Sequence, residues 1–542
     1  MGTKQYDSAT DLLTFSRASG GTALSKISYG NDELVTNGTF DTDATGWVGN
    51  NSHYIPTIET QRLKVITGAS GQWNYANESI SGLTIGKMYR FQASSFVGTS
   101  ARHRISLGTA AGQSYDIFNQ GLGVNYSQTV DMTFTATTTV VYVSLQNTDG
   151  VDGSTTFFDN VSVKEVLFDQ ADGTLQVFNH GNNKPRIEYD ATGAVKGLLI
   201  EEARTNRIAT SEVAPTNYFG GLTKSVDNSV VSPAGGNNVE KFTLSNANDY
   251  HYVGNHHDIC TGTGTSTYSI FAKGSGHNLI RLRMSNVSGI PSCDFDLSTG
   301  QKQVTSSSDS SVTGAIESIG NGWWRCAITY AAVKSNPYAS VFLIDAMDAS
   351  SPPFQGDGTS SVYVWGSQYE SGSFPTSYIP TTGAPATRAS DIAEIPTSAF
   401  GYNNDKGSLV IDVLTPVADQ VIPLAIFNTS TYNESRSFWK SNFALNAAGD
   451  YFIFNSHDGV TTQSSLGQQT QAEYTKLGLS YGDNEKAVRD GGTIINGNSR
   501  STSPTRLLLG GRDDGHQSQC WIKSIQYYPR QLTNTQLQEL TT

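Results

Sequence analysis

The side chains able to do chemistry in this 542-residue chain are few and scattered. A glycosidase needs two carboxylates about 5–10 Å apart. In β-sandwiches that pair commonly comes from alternate positions of one strand, in a run such as E-x-D-x-E, and no such run occurs here. Asp294-Phe295-Asp296 comes nearest. It leads into Leu297-Ser298-Thr299-Gly300, so both aspartates read as solvated turn carboxylates. There is no G-x-S-x-G elbow. Gly82–Met88 (GLTIGKM) is one residue short of a phosphate loop and has no Ser or Thr after Lys87. His251, His256 and His257, with Asp249 or Asp258, carry metal-ligand chemistry, but their spacing fits no single strand or helix face. They read as loop or subunit-contact residues. Cys260, Cys293, Cys326 and Cys520 show no CxxC spacing and read as small buried thiols of a reducing compartment. No catalytic residue is assigned, and the chain is expected not to be an enzyme. Sugar binding needs aromatic faces flanked by Asn, Asp or Gln. Trp73, Tyr75, Tyr115 and Tyr126 are the candidates, each competing with a plain core role.

The elements that must position these residues are strands. Charged residues make up only 15% of the chain, aromatics 10%, and 54 residues are glycine. Such a composition suits strands joined by tight polar turns; an α-rich chain would need more Ala, Leu, Glu and Lys. Length predicts three to four domains at roughly 150 residues each. The net charge of −13 disfavours nucleic acid and anionic membrane surfaces as partners. No apolar run reaches membrane-spanning length, and the start of the chain lacks the apolar segment of an export signal.

Period-2 alternation in Tyr89–Ala93 and Val130–Phe134, followed by the apolar run Val140–Leu145, predicts an antiparallel sandwich over 33–165. A second covers 205–385, with strands at Ser266–Ala272, Leu279–Met284, Trp323–Tyr330 and Val362–Tyr369. In Trp323–Tyr330, alternation places Trp324, Cys326, Ile328 and Tyr330 on one face. A third occupies 386–542, and Thr533-Asn534-Thr535-Gln536 is a capping-box pattern that predicts one helix over Asn534–Leu540. The fold class is therefore all-β, built of multidomain antiparallel β-sandwiches.

Three resemblances sharpen this reading. The unit at 33–165 opens with Asn37-Gly38-Thr39-Phe40-Asp41 and closes with Asp159-Asn160-Val161-Ser162-Val163, which resembles jelly-roll carbohydrate-binding modules. In that family a carboxylate after the first motif and one opening the last strand hold a structural calcium; the resemblance places these at Asp41 and Asp159. The tail Trp521–Thr533 resembles the closing strand of concanavalin A-like (LamG-like) sandwiches. Phe15–Ser19 (FSRAS), Pro185–Asp190 (PRIEYD), Gly197–Asn206 (GLLIEEARTN), Gly372–Thr382 and the Thr387-Arg388-Ala389-Ser390-Asp391 run resemble, in order, motifs of tailed-bacteriophage virion structural proteins. Because about 130 residues separate parts that normally lie close, the first jelly roll is expected to be inserted into a loop of a small split β module, 1–32 plus 166–204, with residues 1–8 as an N-terminal arm.

The resemblance implies a non-enzymatic virion structural protein, a tail fibre, spike or capsid decoration protein, assembled in the bacterial cytoplasm. Its expected partners are other virion proteins and host surface glycans, and it is expected to be a homo-oligomer, with a trimer the usual fibre symmetry. The alternative is a virion-associated polysaccharide depolymerase, a glycoside hydrolase with scattered carboxylates. An adhesin of the bacterium itself is disfavoured by the missing export signal.

Overall fold

The structure is a computed structural model that describes residues 12–50, 54–68, 72–100, 102–110, 115–119, 127–212, 219–236, 239–254, 264–285, 290–305, 311–333, 338–347, 353–415, 423–428, 439–445, 451–457, 461–468, 473–497, 504–511, 517 and 519–542. The expected N-terminal arm, Tyr126, His256, His257, Asp258 and Cys260 lie outside the described residues. The fold is all-β, with the named strands paired antiparallel into sandwiches. Among the described residues no helix is long and apolar enough to cross a membrane.

The chain forms two compact bodies, and one interrupts the other: residues 26–174 form the first, and residues 1–25 with 175–542 the second. The seams fall at Ser25/Lys26 and Thr174/Leu175, outside the expected limits of 33 and 165. The closing strand Thr155–Phe168 runs past residue 165 and pairs with Ile27, Ser28 and Tyr29, so these residues fold with the insert.

In the first body, one sheet pairs Gln128–Thr135, Met88–Val97 and Thr155–Phe168, with Leu63–Ile66 alongside. The facing sheet, in order, is Val48–Gly49, Asn74–Ser81, Val140–Asn147, His103–Gly108 and Phe118–Asn119. Alternate residues of both sheets, among them Leu63, Ile80, Phe91, Ile105, Leu107, Val141, Val143, Leu145, Phe158 and Val163, fill the core. Each such buried side chain contributes about 1.5–3 kcal/mol. The two jelly-roll motifs meet: Val161 N–H donates to Gly38 O at 3.0 Å. A Cβ on Gly38 would stand 2.0 Å from Val161 O, so only glycine fits there.

The second body holds two sandwiches. Its jelly-roll-like part has two six-stranded sheets around Phe242, Ile270, Ile280, Leu282, Phe295, Cys326, Ile328, Tyr330, Val341 and Val364. Cys326, Ile328 and Tyr330 share that core with Trp324 packed against it, whereas Trp323 joins a separate cluster with Leu24, Val177 and Trp365. The C-terminal sandwich has two seven-stranded sheets. Of the strands expected to form a separate small module, Thr14–Ser16 pairs with Ile392–Pro396 at the edge of one sheet, and the hairpin Ile187–Tyr189 and Val195–Ile200 extends the other through Cys520–Tyr528. Strands this short cannot enclose a core alone, and they bury Leu199 and Ile200 by extending longer sheets. Gly197 begins the crossing at φ +129°, where a Cβ would meet Ile522 O at 2.5 Å. The helix Asn534–Thr541 carries the expected capping box, with Gln536 N–H donating to Thr533 Oγ1 at 3.2 Å.

Residues from Phe15–Ser19, Pro185–Asp190, Gly197–Asn206, Gly372–Thr382 and Thr387–Asp391 converge in the second body. Arg17 Nη1 donates to Asp391 Oδ1 at 3.0 Å, and Arg186 Nη2 donates to Asp391 Oδ2. Arg186 Nη1 donates to Glu201 Oε2 at 2.9 Å. Ser377 supplies its hydroxyl and its N–H to the two Glu201 oxygens at 2.6 and 2.7 Å, and Gln519 Nε2 adds a bond of 3.1 Å. Arg388 Nη2 lies 3.5 Å from Glu201 Oε2 and donates to Glu202 O at 2.7 Å. The five charged side chains are sealed from solvent. Burial alone would raise the Glu201 carboxyl, but Arg388, Arg186 and the two Ser377 donors hold it at about 2. Neighbouring His180 is pushed down to about 3 by burial and then by Arg186 and Arg17, so it stays neutral.

Candidate functional site

The candidate site is the outer face of the five-stranded sheet in the first body. Its strands alternate apolar inward and polar outward, so outward residues align in rows across the sheet. One row is Tyr75, Gln146 and Arg104, paired directly across three strands. The next is Asn77, Ser144, Ser106 and Asn119, and the third is Ser79, Tyr142 and Gly108. Val48, exposed on the edge strand beside Asn77, adds an aliphatic side chain to the second row. Gln146, Ser144 and Ser106 form a sealed floor, on which Gln146 Nε2 donates to Ser106 Oγ at 3.2 Å and Ser144 Oγ at 3.1 Å. Tyr75, Asn77 and Tyr142 are half-buried around it. Tyr115, 52% exposed, sets its ring 5.6 Å from the Arg104 guanidinium carbon.

Three buried polar atoms on this face, Gln146 Oε1, Asn77 Oδ1 and Arg104 Nε, have no hydrogen-bond partner among the described residues. Buried polar atoms are normally satisfied. A patterned group of unsatisfied donors and acceptors between tyrosine rings is what a polyhydroxylated ligand would complete.

Of the four aromatic candidates, the structure brings Tyr75 and Tyr115 to this face. Trp73 lies two residues before Tyr75 and is 41% exposed, with its carbonyl accepting a bond from Asn50. Tyr126 is outside the described residues. Sequence reasoning missed Arg104, Gln146, Asn77 and Tyr142. The signal was present as Tyr142, Ser144 and Gln146 interleaved with Val141, Val143 and Leu145, a two-faced strand that reads at first as one apolar run.

Asp41 lies near enough to Asp159 for its charge to act on that carboxyl. Burial first, and then the nearby charge of Asp41, raise the Asp159 carboxyl against the opposing effects of the Asn160 N–H and Arg62. Asn160 stands at φ +54° in a bulge that turns this carboxylate outward from the ladder. Two hard oxygen donors suit calcium, although among the described residues no group of three or more Asp, Glu, His or Cys gathers there, so carbonyls and water would complete the shell.

The other candidates resolve into structural roles. His251 is buried, its ring nitrogens facing Gly221 O and Phe354 O, and its ring packs 4.4 Å from Phe354. Asp296 caps its turn as expected, through Ser298 and Thr299. Asp294 departs from the expectation of a solvated carboxylate. It is buried on the face of its sheet opposite Cys293 and Phe295, where it pairs in bidentate fashion with Arg281 at 2.6 and 2.9 Å. Cys293, Cys326 and Cys520 are free buried thiols, and burial pushes Cys293 up to about 12.

A concavity of about 470 Å³ in the second sandwich is lined by His277, Phe354, Asp296, Asp345 and Asp357. Asp357 accepts from Thr359 N–H, Ser360 N–H and Ser360 Oγ, which hold its carboxyl below the usual range. Asp296, despite partial burial, is lowered by its Ser298 and Thr299 donors. General-acid catalysis requires one carboxyl raised beside one lowered; these two are both lowered and both committed to their own turns.

No protein-family model matches the chain, and no curated protein is similar to it. Among solved structures, the tandem CBM22 domains of Paenibacillus barcinonensis Xyn10C are 10% identical, with 64% of this chain and 99% of that chain covered and a TM-score of 0.20. A Trypanosoma rangeli sialidase complex is 9% identical, with 95% of this chain and 98% of that chain covered and a TM-score of 0.25. The LG1–3 region of the laminin α2 chain is 9% identical, with 85% and 96% covered and a TM-score of 0.18. At these values none of them assigns a family, a ligand or an activity to this chain.

Proposed function

We propose that this chain is a non-enzymatic structural protein of a tailed-phage virion, a fibre, spike or capsid decoration protein, whose first body contacts host-surface glycans. The observation that carries the contact is the polar sheet face of Tyr75, Asn77, Arg104, Tyr142 and Gln146 with its unsatisfied buried atoms. Support for the virion role is the order of the phage-like motifs, together with their convergence on one buried ion lattice that holds the second body together. A structural calcium on Asp41 and Asp159, virion proteins as partners and a homo-oligomeric state belong to the same proposal.

The test is to incubate the purified full chain with surface polysaccharide of the host bacterium, and to search by mass spectrometry for the chain in particles grown from the genome that encodes it. Retention on polysaccharide without release of reducing ends, together with presence in the particle, is expected. Reducing-sugar release abolished by a single Asp-to-Asn change would replace this reading with the depolymerase. Absence from purified particles would overturn the virion role.

A further inference from the structure

Arg104 is 9% exposed, its Nε is buried and unbonded, and no ion pair reaches it among the described residues. The other deeply buried arginines of the chain are treated differently. Arg17 and Arg186 share Asp391, Arg388 lies beside Glu201, and Arg281 is clamped by Asp294. Around Arg104 the described residues of the face offer neutral groups: Gln146 beside it in the same row, Ser106 and Ser144 in the next, and the Tyr115 ring against its guanidinium. Burying a guanidinium without a counter-charge is costly, and buried arginines are ordinarily paired. The missing partner has a defined chemistry. A guanidinium presents a planar fork of donors that matches the two oxygens of a carboxylate.

Resting on the reading that this face takes a glycan, we infer that the glycan is acidic, with the carboxylate of a sugar acid seated on Arg104. Tyr115 and Tyr75 flank it to take the apolar faces of adjoining rings. A neutral sugar would leave the guanidinium uncompensated. The negative net charge of the chain would repel an acidic polymer at long range, so the attraction must be local, and Arg104 is the cation placed to supply it.

The experiment prints bacterial surface polysaccharides, acidic and neutral, as an array, each acidic member also in a form whose carboxylates have been reduced to alcohols, and probes it with the full chain. Binding to acidic polysaccharides that falls about tenfold or more on carboxyl reduction is expected. Arg104→Met should lose the same preference and Arg104→Lys should keep part of it. Equal binding to native and reduced forms, or binding confined to neutral polysaccharides, would overturn this inference and leave the glycan reading standing. Binding to no polysaccharide at all would overturn both. The native-against-reduced comparison uses the unmodified chain, so it decides the matter even where Arg104→Met fails to fold.

Discussion

Arg186 and Asp391 lie 205 residues apart in the chain, and their side chains meet in an ion pair with no solvent contact. The pair ties the hairpin after the first body to the connector before the C-terminal sandwich, and Arg17 reaches the same carboxylate from the N-terminal strand. Three guanidiniums and two carboxylates would leave an excess positive charge. Buried Glu370, whose charge acts on Arg388, offsets it. Removing one member therefore strands its partners. Asp391→Asn is expected to cost about 3–5 kcal/mol in urea unfolding of the full chain. A loss below about 1 kcal/mol would show that the lattice does not hold the second body together.

On the polar sheet face of the first body, the rings reach outward and the floor does not. Tyr75→Ala and Tyr115→Ala should each weaken polysaccharide binding by about tenfold while leaving the thermal midpoint nearly unchanged, because neither ring lies in the core. Calorimetric titration with the polysaccharide, paired with a melting curve, checks both halves. Unchanged affinity in both variants would move the contact off this face.

Asp41 and Asp159 repel each other without a cation between them. Calcium should raise the melting temperature of the first body by several degrees, and a chelator should reverse the change. Asp41→Asn with Asp159→Asn should melt at the same temperature in calcium as in chelator. A wild-type melt indifferent to both additions would remove calcium from the account.

Glu78 points into the core side of the same sheet, where its Oε1 accepts from Thr36 N–H at 2.7 Å. Burial, against the Thr36 donor and with the Glu33 charge adding to it, pushes its carboxyl up to about 7. The folded value lies above the unfolded one of 4.5. The stabilising effect is thus complete below about pH 4.5 and is lost as pH rises through about 7. Glu78→Gln should leave stability near pH 4 almost unchanged and raise it by about 1–3 kcal/mol at pH 8 relative to the parent. Urea midpoints at the two pH values decide it, and equal differences at both would contradict the assignment.

The class of fold was legible because alternation is local: Tyr89, Phe91 and Ala93 face inward for the same reason that they alternate in the sequence. An interruption was expected because the runs holding Arg17 and Arg186 resemble parts of one motif set. Two things were not legible. Thr14–Ser16 and Ile187–Ile200 look self-contained in sequence, but which sheet they extend depends on long-range pairing with Ile392–Pro396 and Cys520–Tyr528. The polar sheet face was hidden because Tyr75, Arg104 and Gln146 come from three strands, and only register brings them into one row.

None of the ion-lattice residues comes from positions 26–174, and the chain leaves the second body and returns to it within that one interval. Recombination at those two seams could exchange residues 26–174 for another folding unit with similarly spaced ends while the ion lattice is inherited intact. A change of surface properties would then need only one swap, not a redesign of the whole polypeptide.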